Sequence, residues 1–324
     1  MSRSRATLAL AALLLVGVTS LTLGGVFGAF TGTTSNAGDS FATAPDFRAP
    51  TAGRSVIGKT AGGVPGFIKQ GGNYFVYADV IDTGNPASGI SSVTSNTSNV
   101  NTGATSSTLS SGSFSIGGLP YSHRSASLTA NAVLVAGTYN YSATSTDAAG
   151  NSGTQTFTVT VDNTVPTGTD IQAVNGGATA GRPDQNDTVT FTYSEPIDPE
   201  SILAGWTGSA TNVVVRINNN TPVNDQLQVF NAANAAQLPL GNVNLGRTDY
   251  TTANRTFGAT GTASSMSMSG NSITVMLGNP SGAGTTAAAT GTMVWTPSAT
   301  ATDRAGNAAS TANVNETGAA DKEF

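Results

Sequence analysis

Ten residues of this 324-residue chain occur twice. Ser142-Ala-Thr-Ser-Thr-Asp147-Ala-Ala-Gly150-Asn151 returns as Ser298-Ala-Thr-Ala-Thr-Asp303-Arg-Ala-Gly306-Asn307, with eight of ten positions identical and an offset of 156 residues. An offset that long fits two successive modules rather than a short-period solenoid. Each copy follows a strand-like run. Its local chemistry is that of a hairpin turn: Asp accepts from backbone N–H groups ahead of it, and Gly supplies a positive φ. Two antiparallel β modules punctuated by the same loop are therefore expected.

The flanking sequence agrees. Asn73-Tyr-Phe-Val-Tyr-Ala-Asp-Val-Ile-Asp82 alternates, with Tyr74, Val76, Ala78 and Val80 on one face. Gly137-Thr-Tyr-Asn-Tyr-Ser-Ala143 and Thr156-Phe-Thr-Val-Thr-Val-Asp162 have the same two-residue period. Shorter strands are expected at 113–116 and 127–130. Gly (39), Thr (49), Ser (34) and Asn (27) make up nearly half the chain. These residues depress helix and favour strands and turns. Helical bundles, coiled coils and helix-rich nucleotide-binding enzymes are excluded. The expected fold is all-β, with one sandwich at 51–165 and a second, larger one at 166–324.

The second module opens with Asp187-Thr-Val-Thr-Phe-Thr-Tyr-Ser-Glu-Pro196-Ile-Asp198, where Pro196 closes the strand because it cannot donate to a ladder. Further strands are expected at 212–217, 227–230, 272–277 and 292–295. Residues 218–262 read as a long polar insertion, either a hairpin excursion or an elaborated loop. Val165-Pro166-Thr-Gly-Thr is the expected semi-rigid linker.

The N-terminus carries Arg3 and Arg5, then an apolar run from Ala6 to Val18 continuing as residues 21–30. This is the pattern of a secretory signal, expected at 1–29 and followed by an extended segment at 30–50. The apolar stretch approaches membrane-spanning length, but small and polar interruptions favour cleavage over anchoring. Membrane contact is expected only through an uncleaved signal. The polar C-terminus has neither a Leu-Pro-x-Thr-Gly sorting signal nor a hydrophobic tail.

Two resemblances follow. Gly24-Gly-Val-Phe-Gly-Ala-Phe30, then Gly38-Asp-Ser-Phe41-Ala-Thr-Ala-Pro-Asp46-Phe47, resembles the N-terminus of secreted proteins of the TasA–camelysin type. The likeness implies a dedicated signal peptidase and a place in the envelope or extracellular matrix. Some members of that group form fibres by lending an N-terminal strand to a neighbour, but this chain has Ala-Pro-Asp-Phe where they have Gly-Thr-Leu-Asp-Leu. Asp82-x-Gly with Ser88-Gly-Ile90, then Gly137-Thr-Tyr-Asn-Tyr141, Asp147-Ala-Ala-Gly-Asn151 and Phe157-Thr-Val-Thr-Val-Asp162-Asn-Thr-Val-Pro166 resembles a bacterial Ig-like domain of surface and adhesin-type proteins. The second module, with its Tyr-Ser-Glu-Pro opening and late Asp303-Arg-Ala-Gly-Asn307, resembles another bacterial Ig-like type. Two tandem Ig-like β-sandwiches after a signal segment are what these likenesses imply.

Catalysis is not expected. There is no Cys and a single His, His123, in a polar, turn-like setting that reads as surface. Glu195, Asp198 and Glu200 are placed as paired acids could be, but they also form the ordinary end of a strand. A net charge of −5 excludes a strongly basic nucleic-acid binder. Calcium is the one ligand the sequence suggests, since it takes several oxygen donors. The candidates are Asp82, Asp147 and Asp162 at one end of module one, and Asp198 and Asp303 in module two. Trp206, in a Gly-flanked loop, is the candidate contact for carbohydrate, whereas Trp295 reads as core. The function expected is that of a secreted, non-enzymatic structural or adhesive protein. The alternatives are a carbohydrate-binding accessory module, or a fibre subunit that donates residues 30–47. Its expected partners are surface or matrix proteins, polysaccharide, or copies of itself.

Overall fold

The computed structural model describes residues 45–324. The signal segment and most of the extended segment expected at 30–50 lie outside the described residues. The fold is all-β, 44% strand and 1% helix.

The first half contains β1 (Thr51–Lys59), β2 (Phe67–Ile68), β3 (Asn73–Ile81), β4 (Ile90–Asn96), β5 (Ser107–Ile116), β6 (Leu119–Ser125), β7 (Leu128–Thr129), β8 (Gly137–Asp147) and β9 (Ser152–Val161). One layer pairs β1 with β3, β3 with β6 and β7, and β6 with β5. The other runs β5-β4-β8-β9-β2. Strand β5 belongs to both, bulging between Ser111 and Phe114. The inward residues are those the alternation selects: Tyr74, Val76, Ala78 and Val80 from β3, Tyr141 and Ala143 from β8, and Val159 and Val161 from β9, all in one buried cluster. The same period carries the inward face of β8 on through Ser145 to Asp147. An acid is thereby buried at the end of the strand.

The second half contains β10 (Gly168–Val174), β11 (Thr188–Tyr193), the short helix α1 (Pro199–Ile202), β12 (Thr211–Asn218), β13 (Gln226–Asn231), β14 (Asn242–Asn244), β15 (Arg255–Phe257), β16 (Ser264–Ser269), β17 (Ser272–Met276), β18 (Val294–Thr296) and β19 (Val314–Asn315). The path is β10-β11-β17-β16-β12-β13-β14-β18-β19, with β15 on β12. It curls so that β10 also lies against β18 and β19. Trp295 sits at the centre. Phe191 and Tyr193 meet it edge-on at 5.3 and 4.9 Å, and its indole N–H donates to Leu240 O at 2.6 Å.

The stretch 218–262 is no peripheral insertion. It supplies β13, β14 and β15 and buries Leu227, Val229, Leu238, Leu240, Val243, Leu245, Tyr250 and Phe257 in the module-two core. The strand expected at 227–230 is β13, whereas from residue 231 to 262 the apolar residues are scattered among Asn, Gly and Thr, and the strand period is broken into pieces too short to read. His123 also departs from expectation. It lies on the inward face of β6, 8% exposed, with Nδ1 2.9 Å from Ser122 Oγ. The neighbouring Pro120 and polar residues disguise a strand as a turn. Burial holds the imidazole below its usual titration range, in the neutral form.

Candidate metal centres at two matched poles

The duplicated turns have the same geometry. Asp147 N–H donates to Asn151 O at 3.0 Å, as Asp303 N–H does to Asn307 O. Asp147 Oδ1 accepts from Asn151 N at 2.8 Å, and Asp303 Oδ1 from Asn307 N at 2.7 Å. The second carboxylate oxygen accepts from the Asn amide, at 2.8 Å in the first copy and 2.7 Å in the second. Gly150 and Gly306 both have φ of +91°, a region that favours glycine.

Each Asn amide makes one more bond, to the chain entering its module. Asn151 Nδ2 donates to Asp46 O at 2.9 Å, and Asn307 Nδ2 donates to Asp162 O at 2.9 Å. Asp46 and Asp162 each stand four residues before a proline, Pro50 and Pro166. The entry segments are therefore gripped alike, and each brings an acid to the turn.

Two triads result. Asp46, Asp82 and Asp147 form one, and Asp162, Glu195 and Asp303 the other; within each, carboxylate oxygens lie within 4.8 Å of one another. Asp82 follows β3 and accepts from Gly84 N at 3.1 Å and Gly89 N at 2.7 Å. Glu195 follows β11. Asp46 accepts from the N–H groups of Arg48 and Ser88, both at 2.9 Å, which hold its carboxyl below the usual range. In the second triad Glu195 Oε1 is buried without a hydrogen-bond partner. Burial, then the charges of Asp162 and Asp303, push its carboxyl up to about 7. Among the described residues the four ion pairs are Arg54–Asp79, Lys59–Asp198, Arg182–Asp184 and Arg247–Asp249, so none engages these six acids.

The expected ligand groupings need correcting. Asp82 and Asp147 do meet, but Asp162 joins Asp303 at the other pole, because it ends the last strand of module one and begins module two. Asp198 joins neither group. It caps α1 by accepting from Glu200 N at 3.1 Å, and it pairs with Lys59 of the other module. Lys59 Nζ also donates to Arg304 O at 2.9 Å, Lys69 Nζ to Gly306 O at 2.6 Å, and Gly63 N to Glu200 Oε2 at 3.1 Å. Gly63 has φ of +84°, and a Cβ there would lie 1.8 Å from Asp198 Oδ2. The second pole thus lies within a direct contact between modules. Asp46 and Glu195 complete the two groups but are not among the residues the sequence suggests for calcium. The signal for Asp46 was the shared Asp-x-x-x-Pro spacing.

Trp206 is 5% exposed and packs in the module-two core, donating from Nε1 to Ser209 O at 2.6 Å. Its ring presents no open face for a sugar. Trp295 is fully buried, as expected. Comparison with protein-family models and with curated proteins finds no match to this chain.

Proposed function

We propose that this is a secreted, non-enzymatic structural or adhesive protein of the cell surface or extracellular matrix, built from two tandem Ig-like modules that calcium stiffens at matched poles. The duplicated triad carries this reading. Two different strand ends and two different entry segments bring three carboxylates to the same turn. The donor set is all oxygen, as calcium prefers. The unpartnered Glu195 Oε1 is the kind of buried acceptor that a cation satisfies.

Asp46, Asp82 and Asp147 would hold one ion, and Asp162, Glu195 and Asp303 the other. A bound divalent cation supplies charge neutralisation and a cross-link. The chain's own residues do the rest. Asn307 ties the Asp162 carbonyl to the turn, and Lys59, Lys69 and Gly63 hold module one against module two. A stiff tandem rod of this kind presents loops and edges at a distance from its anchor, which is work by contact rather than catalysis.

Scattering of the mature protein in calcium and in chelator tests the mechanical part. A more flexible particle in chelator is expected, and an unchanged one counts against it. Immunodetection in the culture medium and on intact cells tests the location; antigen confined to the cytoplasm would end that part.

A further inference from the structure

A third acidic group lies away from the Asp-x-Ala-Gly-Asn turns, where the last segment of the chain folds back on module two. Glu316 follows β19, and Asp321 and Glu323 belong to the terminal segment. Carboxylate oxygens of the three lie within 4.8 Å of one another. Glu323 is 1% exposed, and neither of its side-chain oxygens has a hydrogen-bond partner. A buried carboxylate without a partner is costly unless it is protonated or neutralised by a cation. None of the three takes part in an ion pair among the described residues.

The surroundings hold the segment in place but leave the Glu323 carboxylate unpaired. Met293 N donates to Glu316 Oε2 at 3.1 Å. Glu323 N donates to the Tyr250 hydroxyl at 2.8 Å, and the Phe324 ring meets Tyr250 edge-on at 5.5 Å. Gly291 N donates to Asp321 O at 2.7 Å. Glu323 is therefore fixed by its backbone and its neighbour's ring, with its carboxylate directed at two other acids.

The geometry points to a further calcium site formed by Glu316, Asp321 and Glu323, which fastens the terminal segment to the end of β19. Oxygens that share one calcium ion, each about 2.4 Å from it, can stand at most about 4.8 Å apart, and the three acids meet that limit. The donors are hard oxygens only, which suits calcium rather than a softer transition metal. This site shares no residue with the two poles, so it stands or falls separately from them.

The test is a count of bound calcium by native mass spectrometry, with calorimetric titration of calcium chloride, on the full mature chain. Wild type is compared with E323Q, D321N and the pole variant D303N. E323Q and D321N are each expected to lose one ion, or to bind it at least tenfold more weakly, and to keep the others. D303N is expected to retain this ion, with terbium emission sensitised through Tyr250 still present. Wild-type binding of a single ion that only E323Q and D321N remove would uphold this site while overturning the poles. An ion count and titration curve unchanged from wild type in D321N, whose side chain is exposed and whose folding is not at risk, would overturn the site. Glu316 and Glu323 would then share a proton instead.

Discussion

Replacing Asn307 by Ala should loosen the junction between modules, and the size of the effect follows from two bonds. The amide donates to Asp303 Oδ2 at 2.7 Å and to Asp162 O at 2.9 Å, and the residue is 8% exposed. A hydrogen bond to a charged acceptor contributes about 1.5–3 kcal/mol and a neutral one about 0.5–1.5 kcal/mol. Asn307→Ala should therefore cost roughly 2–4 kcal/mol, because the backbone bond from Asn307 N to Asp303 survives the change. For a domain of this size that lowers the melting temperature by roughly 5–15 °C. Asn151→Ala removes the equivalent bonds, to Asp147 and Asp46, and should cost a similar amount. Calorimetric melting in chelator is the assay, so that bound calcium does not enter the comparison. Shifts below about 1 °C in both variants would refute the reasoning. They would mean that the amides exchange their partners for water without loss.

Three further outcomes are expected. Glu195 has its folded carboxyl raised from 4.5 to about 7, so the stability present at pH 4.5 and below should be lost as pH rises through 7. In chelator this amounts to about 1–2 kcal/mol between pH 5 and 8 after allowing for solvent screening; denaturant midpoints would show it, and E195Q should remove the slope. Lys59→Met leaves the buried Asp198 carboxylate without its cation, and should cost about 3 kcal/mol in the same melts, part of it recovered in K59M/D198N. Gly63→Ala places a Cβ against Asp198 and forces a positive φ on alanine, so it should weaken the junction by at least about 1 kcal/mol, seen as easier proteolysis between the modules.

Much of the fold was legible because its signals are local. The alternation around Tyr74–Val80 and Phe157–Val161 selects the buried face by period alone. The repeated turn carries its own hydrogen-bond chemistry in five residues. Within 218–262 only the strand at 227–230 is legible, because Leu238, Leu240, Val243 and Tyr250 are core residues only once β13, β14 and β18 are paired. The site divided in the same way. Asp147 and Asp303 were visible in the repeat. Their partners come from elements far off in sequence, and proximity of that kind has no period. Asp162 ends one module and begins the next, so its place in the sequence does not show which pole it joins. Asp198 has the sequence setting of a ligand, but the fold places Lys59 beside it.

The most direct test of the central claim is a calcium titration of the mature chain by calorimetry, comparing wild type with the double variant D147N/D303N. Wild type should release heat and show a chelator-sensitive rise in melting temperature, and the double variant should lose the ions of both poles. No heat and no chelator-sensitive shift in the wild type, or the same binding in the double variant, would contradict it.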